Sequence, residues 1–298
     1  MQAIELSEPE QRALVAAAVA APSIHNTQPW RFVTTPHEIQ AHADPGRGLR
    51  VIDPLARALV ISCGAAVLNL RVMLAHLGRQ SRTRWIPRPT TPTHLATVRV
   101  VGPYRTRPVD RELYGALHRR HSSRQPMTTT PVPWAVLDEL DRAAHLEGAT
   151  LHVLTGEAAD ALLAIARAAD TEQRGDPAYR AELGAWTSAD PTRRDGVPAA
   201  AFGSSPTPDQ LPQRDFTVGG VVAARPEEAF EAAPTLAVLS TGADTVIEWL
   251  RTGTALQRLL LLATTHRLQA GFLTQPLEVP AFRSAARTLI GPHHMPQV

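Results

Sequence analysis

Residues 21–32 read Ala21-Pro22-Ser23-Ile24-His25-Asn26-Thr27-Gln28-Pro29-Trp30-Arg31-Phe32, and this stretch decides how the chain is read. Pro22 and Pro29 each fix their own φ and bias the residue before them towards extended backbone. Ser23, Asn26, Thr27 and Gln28 crowd many hydrogen-bonding groups between the two prolines, and any that become buried must be paired. A rigid polar loop between an Ala-rich helix and a β-like run is suited to contacting something polar, such as a ligand.

Upstream, Ser7-Glu8-Pro9-Glu10 has the form of a capping box with Pro in the first turn, which predicts a helix to about Val19. Downstream, residues 30–34 and 38–42 read as paired strands around Thr35-Pro36-His37. Asp53-Pro54 is an N-cap followed by Pro, predicting a long apolar helix to about Leu77 that ends at Gly78. Further strands are expected at 97–101, 149–154 and 235–240. Helices are expected at 110–121, 134–145, 157–169, 177–186 and 280–289, and over 244–268 with a break near Gly253. In that helix Leu256, Leu259, Leu260 and Ala263 mark one face and Leu261 with Leu262 widen it, so it should be deeply buried. Residues 187–222 mix Pro, Gly, Asp, Ser and Arg with little periodicity. A segment of this kind is either functional or a disordered insertion.

Composition excludes several chemistries. All 30 basic residues are Arg against 28 acidic ones, so no Schiff-base or P-loop lysine exists. A net charge of +2 gives no reason to expect nucleic acid or an anionic membrane as partner. Cys63 is the only cysteine, which rules out an internal disulfide and suits a reducing compartment. Hydrophobic content of 44% allows a sizeable core. The run Leu259–Leu262 is too short to span a bilayer, no signal-peptide pattern opens the chain, and a cytoplasmic location is expected. His-Glu-x-x-His, Gly-x-Gly-x-x-Gly and Gly-x-Ser-x-Gly do not occur. His293-His294 lacks spaced partner ligands and reads as a tail rather than a metal site.

The opening stretch closely resembles the Ala-Pro-Ser-x-x-Asn-x-Gln-Pro-Trp-x-Phe signature of the flavin-dependent nitroreductase superfamily, and the chain as a whole resembles its internally duplicated Acg-type branch. That resemblance implies an α+β nitroreductase-like fold: a mixed sheet with surrounding helices and two fused pseudo-symmetric halves, residues 1–105 and 106–298. It implies that 187–222 is a lid over the flavin. A weak repeat agrees with two halves: Gly64, Ala66, Val67, Leu70, Val72 and Met73 align with Gly253, Ala255, Leu256, Leu259, Leu261 and Leu262 at a constant offset of 189.

In that superfamily a homodimer binds two FMN molecules, each between a Pro-Ser loop of one subunit and an Arg-x-Ser-x-Arg/Lys phosphate loop of the other. Here Arg120-His121-Ser122-Ser123-Arg124 supplies the second motif. Two guanidiniums and hydroxyls within one turn make a phosphate clamp or a solvated basic turn, and the resemblance favours the clamp. It implies that Arg120 and Ser122 hold the FMN phosphate, with Arg124 nearer the ribityl chain and the N1–O2 edge. Pro22, Ser23 and Ile24 would line the cofactor, while Asn26 and Gln28 would fix the loop or touch the ring. His25 could be a titratable group near flavin N5 or a structural hydrogen bonder. Trp30 and Phe32 read as core anchors. Gly271, Phe272 and Leu273 would lie beside the flavin.

Each half lacks the motif that the other carries, which implies one FMN per chain and a monomer that is itself a pseudo-dimer. In the superfamily a basic residue after the last strand often adds to the phosphate site. Gln297-Val298 stands where that strand should begin. The function expected is an FMN-dependent oxidoreductase passing hydride from NAD(P)H or another donor to a small electrophile. The alternative is a flavin-sequestering protein sealed by its lid.

Overall fold

The computed structural model describes residues 5–88, 90–206, 211–221, 224–231 and 233–298, so residues 207–210 and 222 of the expected lid lie outside the described residues. In chain order the helices are α1 (Glu8–Val19), α2 (Arg57–His76), α3 (Pro108–Ala116), α4 (Trp134–His145), α5 (Glu157–Gly175), α6 (Pro177–Ala185), α7 (Val246–Thr265), α8 (Gln275–Glu278) and α9 (Pro280–Ile290). The strands are β1 (Trp30–Thr34), β2 (Glu38–Ala43), β3 (Arg79–Trp85), β4 (His94–Pro103), β5 (Thr150–Leu154), β6 (Thr187–Ser188), β7 (Val197–Pro198), β8 (Ser205–Pro206), β9 (Glu227–Glu228), β10 (Leu236–Thr241) and β11 (Met295–Pro296). The class is α+β.

Four strands pair in the order β1-β2-β4-β3 and three in the order β11-β10-β5, every pair antiparallel. The expected single mixed sheet is therefore corrected to two antiparallel ones. Among the described residues, parallel pairing is limited to the two-residue ladders β6-β7 and β8-β9 and the single bridge between Ser122 and Ala270. The short connections β1–β2 and β3–β4 leave no room for the crossover that parallel neighbours require.

Local signals account for most boundaries. The capping box at Ser7 forms as its sequence dictates, with Glu10 reaching back to the Ser7 N–H at 2.8 Å. Asp53 caps α2, but from further out than expected. Its carboxylate accepts the N–H groups of Ala58 and Leu59 at 3.0 and 2.9 Å, and the helix starts at Arg57 because Ala56 sits in the left-handed region at φ 57°. His294 is no loose tail: its ring packs edge-on against His152 and its Nδ1 lies 3.3 Å from Ser240 Oγ, next to the strand pair β10–β11.

The core is organised by α2 and α7. Both run through the largest apolar cluster, and α2 is buried nearly all round. It is a helix long and apolar enough to cross a membrane, yet protein surrounds most of it. The two helices meet backbone to backbone. A Cβ on Gly64 would lie 2.3 Å from the Leu250 carbonyl oxygen, and one on Gly253 would lie 2.0 Å from that of Ile61. Gly253 thus does not break α7; it lets α2 in. Beside the crossing, the buried Gln257 amide donates to Asn69 Oδ1 at 2.8 Å, and Asn69 in turn donates to the Ala17 carbonyl, tying α1 to the pair.

The described residues of 187–221 form a lobe with its own small core. Val197, Phe202 and Phe216 pack with Leu49, Ile52, Tyr179 and Leu183, and Ile24 borders the same cluster.

Gly253→Ala should cost about 1–3 kcal/mol, because the neighbour it strikes is helix backbone that cannot step aside. Gly115→Ala, where nothing lies within 4 Å of the new methyl, should be neutral or stabilising by up to about 1 kcal/mol. Urea unfolding of both variants measures this; equal stabilities would refute the backbone contact.

Candidate functional site

The Pro-Ser loop is a tight, strained turn. His25, Asn26 and Gln28 all have positive φ, at 46°, 53° and 50°. Left-handed backbone at residues other than glycine is held only where surrounding contacts over-determine it, and it gathers at ligand sites. The contacts are visible. The Gln28 N–H donates to Ser23 Oγ at 3.0 Å, and the Ile24 N–H donates to Ser62 Oγ of α2 at 3.2 Å. Asn26 and Gln28 spend their side chains on the lid: Asn26 Nδ2 donates to the Gly196 carbonyl at 2.9 Å and Gln28 Nε2 to that of Arg194 at 2.7 Å. The Gly196 N–H returns a bond to the Asn26 carbonyl at 3.1 Å. Arg47 adds a salt bridge to Asp195 at 2.9 Å.

The second predicted segment docks against the third. The Ser123 N–H donates to the Ala270 carbonyl at 2.9 Å, Ser122 bridges to Ala270, and the Gly271 backbone lies so near the Ser123 carbonyl that a Cβ would come within 3.1 Å of it. Phe272 and Leu273 follow, half-buried. His121 turns outwards, exposed, with its Nδ1 3.1 Å from the Arg119 carbonyl, which does not fit a cofactor ligand.

Among the described residues, Arg120 and Arg124 differ from Arg214 and Arg225 in having no carboxylate partner. The Nε and Nη1 of Arg120 are buried without a partner, and burial holds its pKa below the usual guanidinium value. Arg124 is pushed down to about 10 by burial and by the charges of Arg214 and Arg225. Among the described residues neither forms a salt bridge, whereas Arg214 is paired with Glu278 at 2.6 Å and Arg225 with Asp215 at 2.9 Å. A buried cation without a counter-charge is costly, and the chemistry of this loop asks for an anion.

The 187–221 lobe, expected as the lid, connects the two loops. Phe216, 3% exposed, meets the His25 ring edge-on at 5.6 Å, and the Arg124 guanidinium lies over the Phe216 ring at 4.8 Å. Arg124 Nη1 also donates to the Ala201 carbonyl at 2.8 Å. The lid is latched two residues before Phe216. Arg214 reaches Glu278 of α8 and donates to Tyr179 Oη at 2.8 Å, while Gln173 donates to Glu278 at 2.7 Å. Burial would raise the Glu278 pKa, but Arg214 and the hydrogen bonds hold it below the usual carboxylate range. Arg194–Gly196, Arg214, Phe216 and Glu278 were not legible as site residues. The nearest signal was one basic and one aromatic residue close together in a polar segment.

Two cavities are present, one bordering the contacts of Gln28 and Arg47 and one remote from them. One, of about 400 Å³, is lined by Gln28, Trp30, Phe32, Arg47, Arg194 and Asp195, so Phe32 borders a groove rather than serving only the core. The other, about 360 Å³, lies between α4, β5 and α5 under the exposed Trp134.

No family model matches the chain. Relatives in Mycobacterium tuberculosis do. A protein named "Putative NAD(P)H nitroreductase Rv3131" is 34% identical over 278 residues, covering 93% of this chain and 79% of the relative. "Putative NAD(P)H nitroreductase acg" is 30% identical over 287 residues, covering 96% and 86%. The chain belongs to the Acg-type branch of the nitroreductase superfamily. A third relative, "Uncharacterized protein Rv3127", is 30% identical over 95% of the chain and 83% of its own length. The identity extends along nearly the whole chain, so this Acg-type assignment does not rest on the Pro-Ser motif alone.

His25 in this Acg-type loop is buried with both ring nitrogens unpartnered, so the role of structural hydrogen bonder is not filled. Burial, then the charge of Arg214, push its pKa down to about 3, against a smaller opposing effect of Glu278. The folded protein therefore keeps His25 neutral while the unfolded chain binds a proton below about pH 6.5. Stability should fall as pH drops from about 6.5 towards 3, the window between the unfolded and folded values. Melting temperatures of the wild type and His25→Gln across pH 4–7.5 test this: the variant should lose less on acidification. Parallel losses would show that His25 carries no share of the acid limb.

Proposed function

We propose that the protein is an FMN-dependent oxidoreductase holding one flavin per chain. The observation that carries this reading is Arg120, a half-buried guanidinium whose Nε and Nη1 are buried without a partner, in a loop of the Arg-x-Ser-x-Arg form docked on Ala270 and Gly271. The donor set fits a phosphate. Arg120 and Ser122 would hold it with charge-assisted bonds, and Arg124 would face the ring. When bound, the flavin supplies hydride acceptance and donation at N5, so no side chain need act as acid or base. The depressed pKa of His25 agrees, since a neutral imidazole offers a hydrogen bond but no ready proton. NAD(P)H as donor is supported by the names of the relatives.

Internal duplication is supported by the geometry of the two halves. Ile61 pairs in the repeat with Leu250 as Gly64 does with Gly253, each 189 residues apart. Gly64 meets Leu250, and Gly253 meets Ile61. Each contact is the counterpart of the other, as in an isologous interface. This supports a pseudo-dimer within one chain; one flavin per chain, boundaries near 1–105 and 106–298 and a small-molecule substrate belong to the same reading and follow from the division of the two motifs between the halves. A cytoplasmic location remains part of the same reading.

The lid favours a second reading, flavin sequestration without turnover. Asn26, Gln28, Arg47 and the buried Arg214–Glu278 pair all hold the lid closed. Absorbance of the purified protein with released flavin quantified, followed by anaerobic NAD(P)H addition, separates the two: bleaching supports turnover, and a bound flavin that stays oxidised supports sequestration. Arg120→Ala should weaken FMN binding by about 1.5–3 kcal/mol, the value of hydrogen bonds to charged groups. It should leave riboflavin, which lacks the phosphate, unaffected. Equal losses for both ligands, read by flavin fluorescence titration, would remove Arg120 from the phosphate site.

A further inference from the structure

We propose that Phe216 competes with the flavin ring for the space between the Pro-Ser loop and the arginine loop, so that cofactor entry requires Phe216 to withdraw. The proposal rests on the flavin reading above and goes beyond it by making a lid residue the determinant of access.

Three contacts carry it. Phe216 touches His25 from the Pro-Ser loop and Arg124 from the arginine loop, the two side chains between which a flavin ring would lie. Its ring also stacks on Phe202 at 5.7 Å and is almost wholly buried, so it fills the space rather than brushing it. Arg124 gives the lid both faces of its chemistry, its charge to the Phe216 π-face and an N–H to the Ala201 carbonyl. Gly203 seals the same point, since a Cβ there would stand 2.1 Å from the Arg124 carbonyl oxygen. An aromatic ring under a guanidinium and beside an imidazole edge is the arrangement an isoalloxazine would need from these residues. Both rings cannot have it together.

Binding is then reduced by the fraction of molecules in which Phe216 has moved aside. Removing the ring removes that reduction. Phe216→Ala should bind FMN on the order of tenfold more tightly than the wild type. Riboflavin should show the same ratio, because the contest concerns the ring and not the phosphate. Phe216→Leu, which keeps an apolar side chain in the lobe, should fall between them and guards against a collapsed lid in the alanine variant. In the wild type, FMN should speed hydrogen exchange of the amides of residues 216–220, where the Gly220 N–H donates to the Thr217 carbonyl.

Fluorescence titration and exchange mass spectrometry separate the outcomes. Equal affinities in all three proteins, or slower exchange of 216–220 with FMN, would overturn the competition and make Phe216 a cap on the ring, with the flavin reading intact. Failure of every folded protein to bind either flavin would overturn the flavin reading, and this proposal with it.

Discussion

The structure depends on one contact in which two helices touch without side chains between them. Gly64 and Gly253 are each the eighth residue of their twenty-residue helices, and each brings its backbone against the other helix. Only glycine permits this, because any Cβ would overlap a carbonyl oxygen. The rest of the site inherits its position from that crossing. Ser62, two residues from Gly64, takes the Ile24 N–H and so sets the Pro-Ser loop on α2. The chain leaving α7 arrives at Ala270, which takes the Ser123 N–H and sets the arginine loop. Two loops far apart in sequence are thereby fixed to one rigid pair of helices, the kind of support a binding site needs.

Local chemistry is readable in the sequence wherever it is strong. The Ser7 capping box, the exit at Gly78 and the helix over residues 134–145 all appear in place, because each depends on neighbours within a turn, while Asp53 still caps α2 but from three residues before its N-cap. Strand β3 gives no such signal. Its sequence, Arg-Gln-Ser-Arg-Thr-Arg-Trp, alternates exposed and half-buried residues and lacks the β-branched run that announces a strand; pairing with β4 holds it instead. Gly253 reads as a break because helix propensity penalises glycine, whereas the partner helix supplies the reason for it.

The motifs of the site are legible; their joint neighbour is not. Arg214 finds Glu278 64 residues away and Phe216 finds His25 at a separation of 191, distances over which no pattern in the sequence speaks. The segment reads as structureless because its order is tertiary. Its strands are two residues long, and its stability comes from Tyr179, Leu183, Phe202 and Phe216 packed as a separate small core.

The lid's contacts also differ in how readily they could be exchanged. Breaking the Arg214–Glu278 pair inside the protein would strand two buried charges at about 3–5 kcal/mol. Exposing the Phe216 ring costs roughly 1.5–3 kcal/mol, and Arg124 loses only a ring face and one carbonyl, which a cofactor can replace in kind. The lower-energy motion therefore leaves the latch closed and swings the Phe216 ring aside, while Gly219 stays packed backbone to backbone on Gly184 of α6. A lid of this design admits a flat ring beneath it while remaining pinned by Asn26, Gln28 and Arg214, so access to the site and opening of the lobe are separate events.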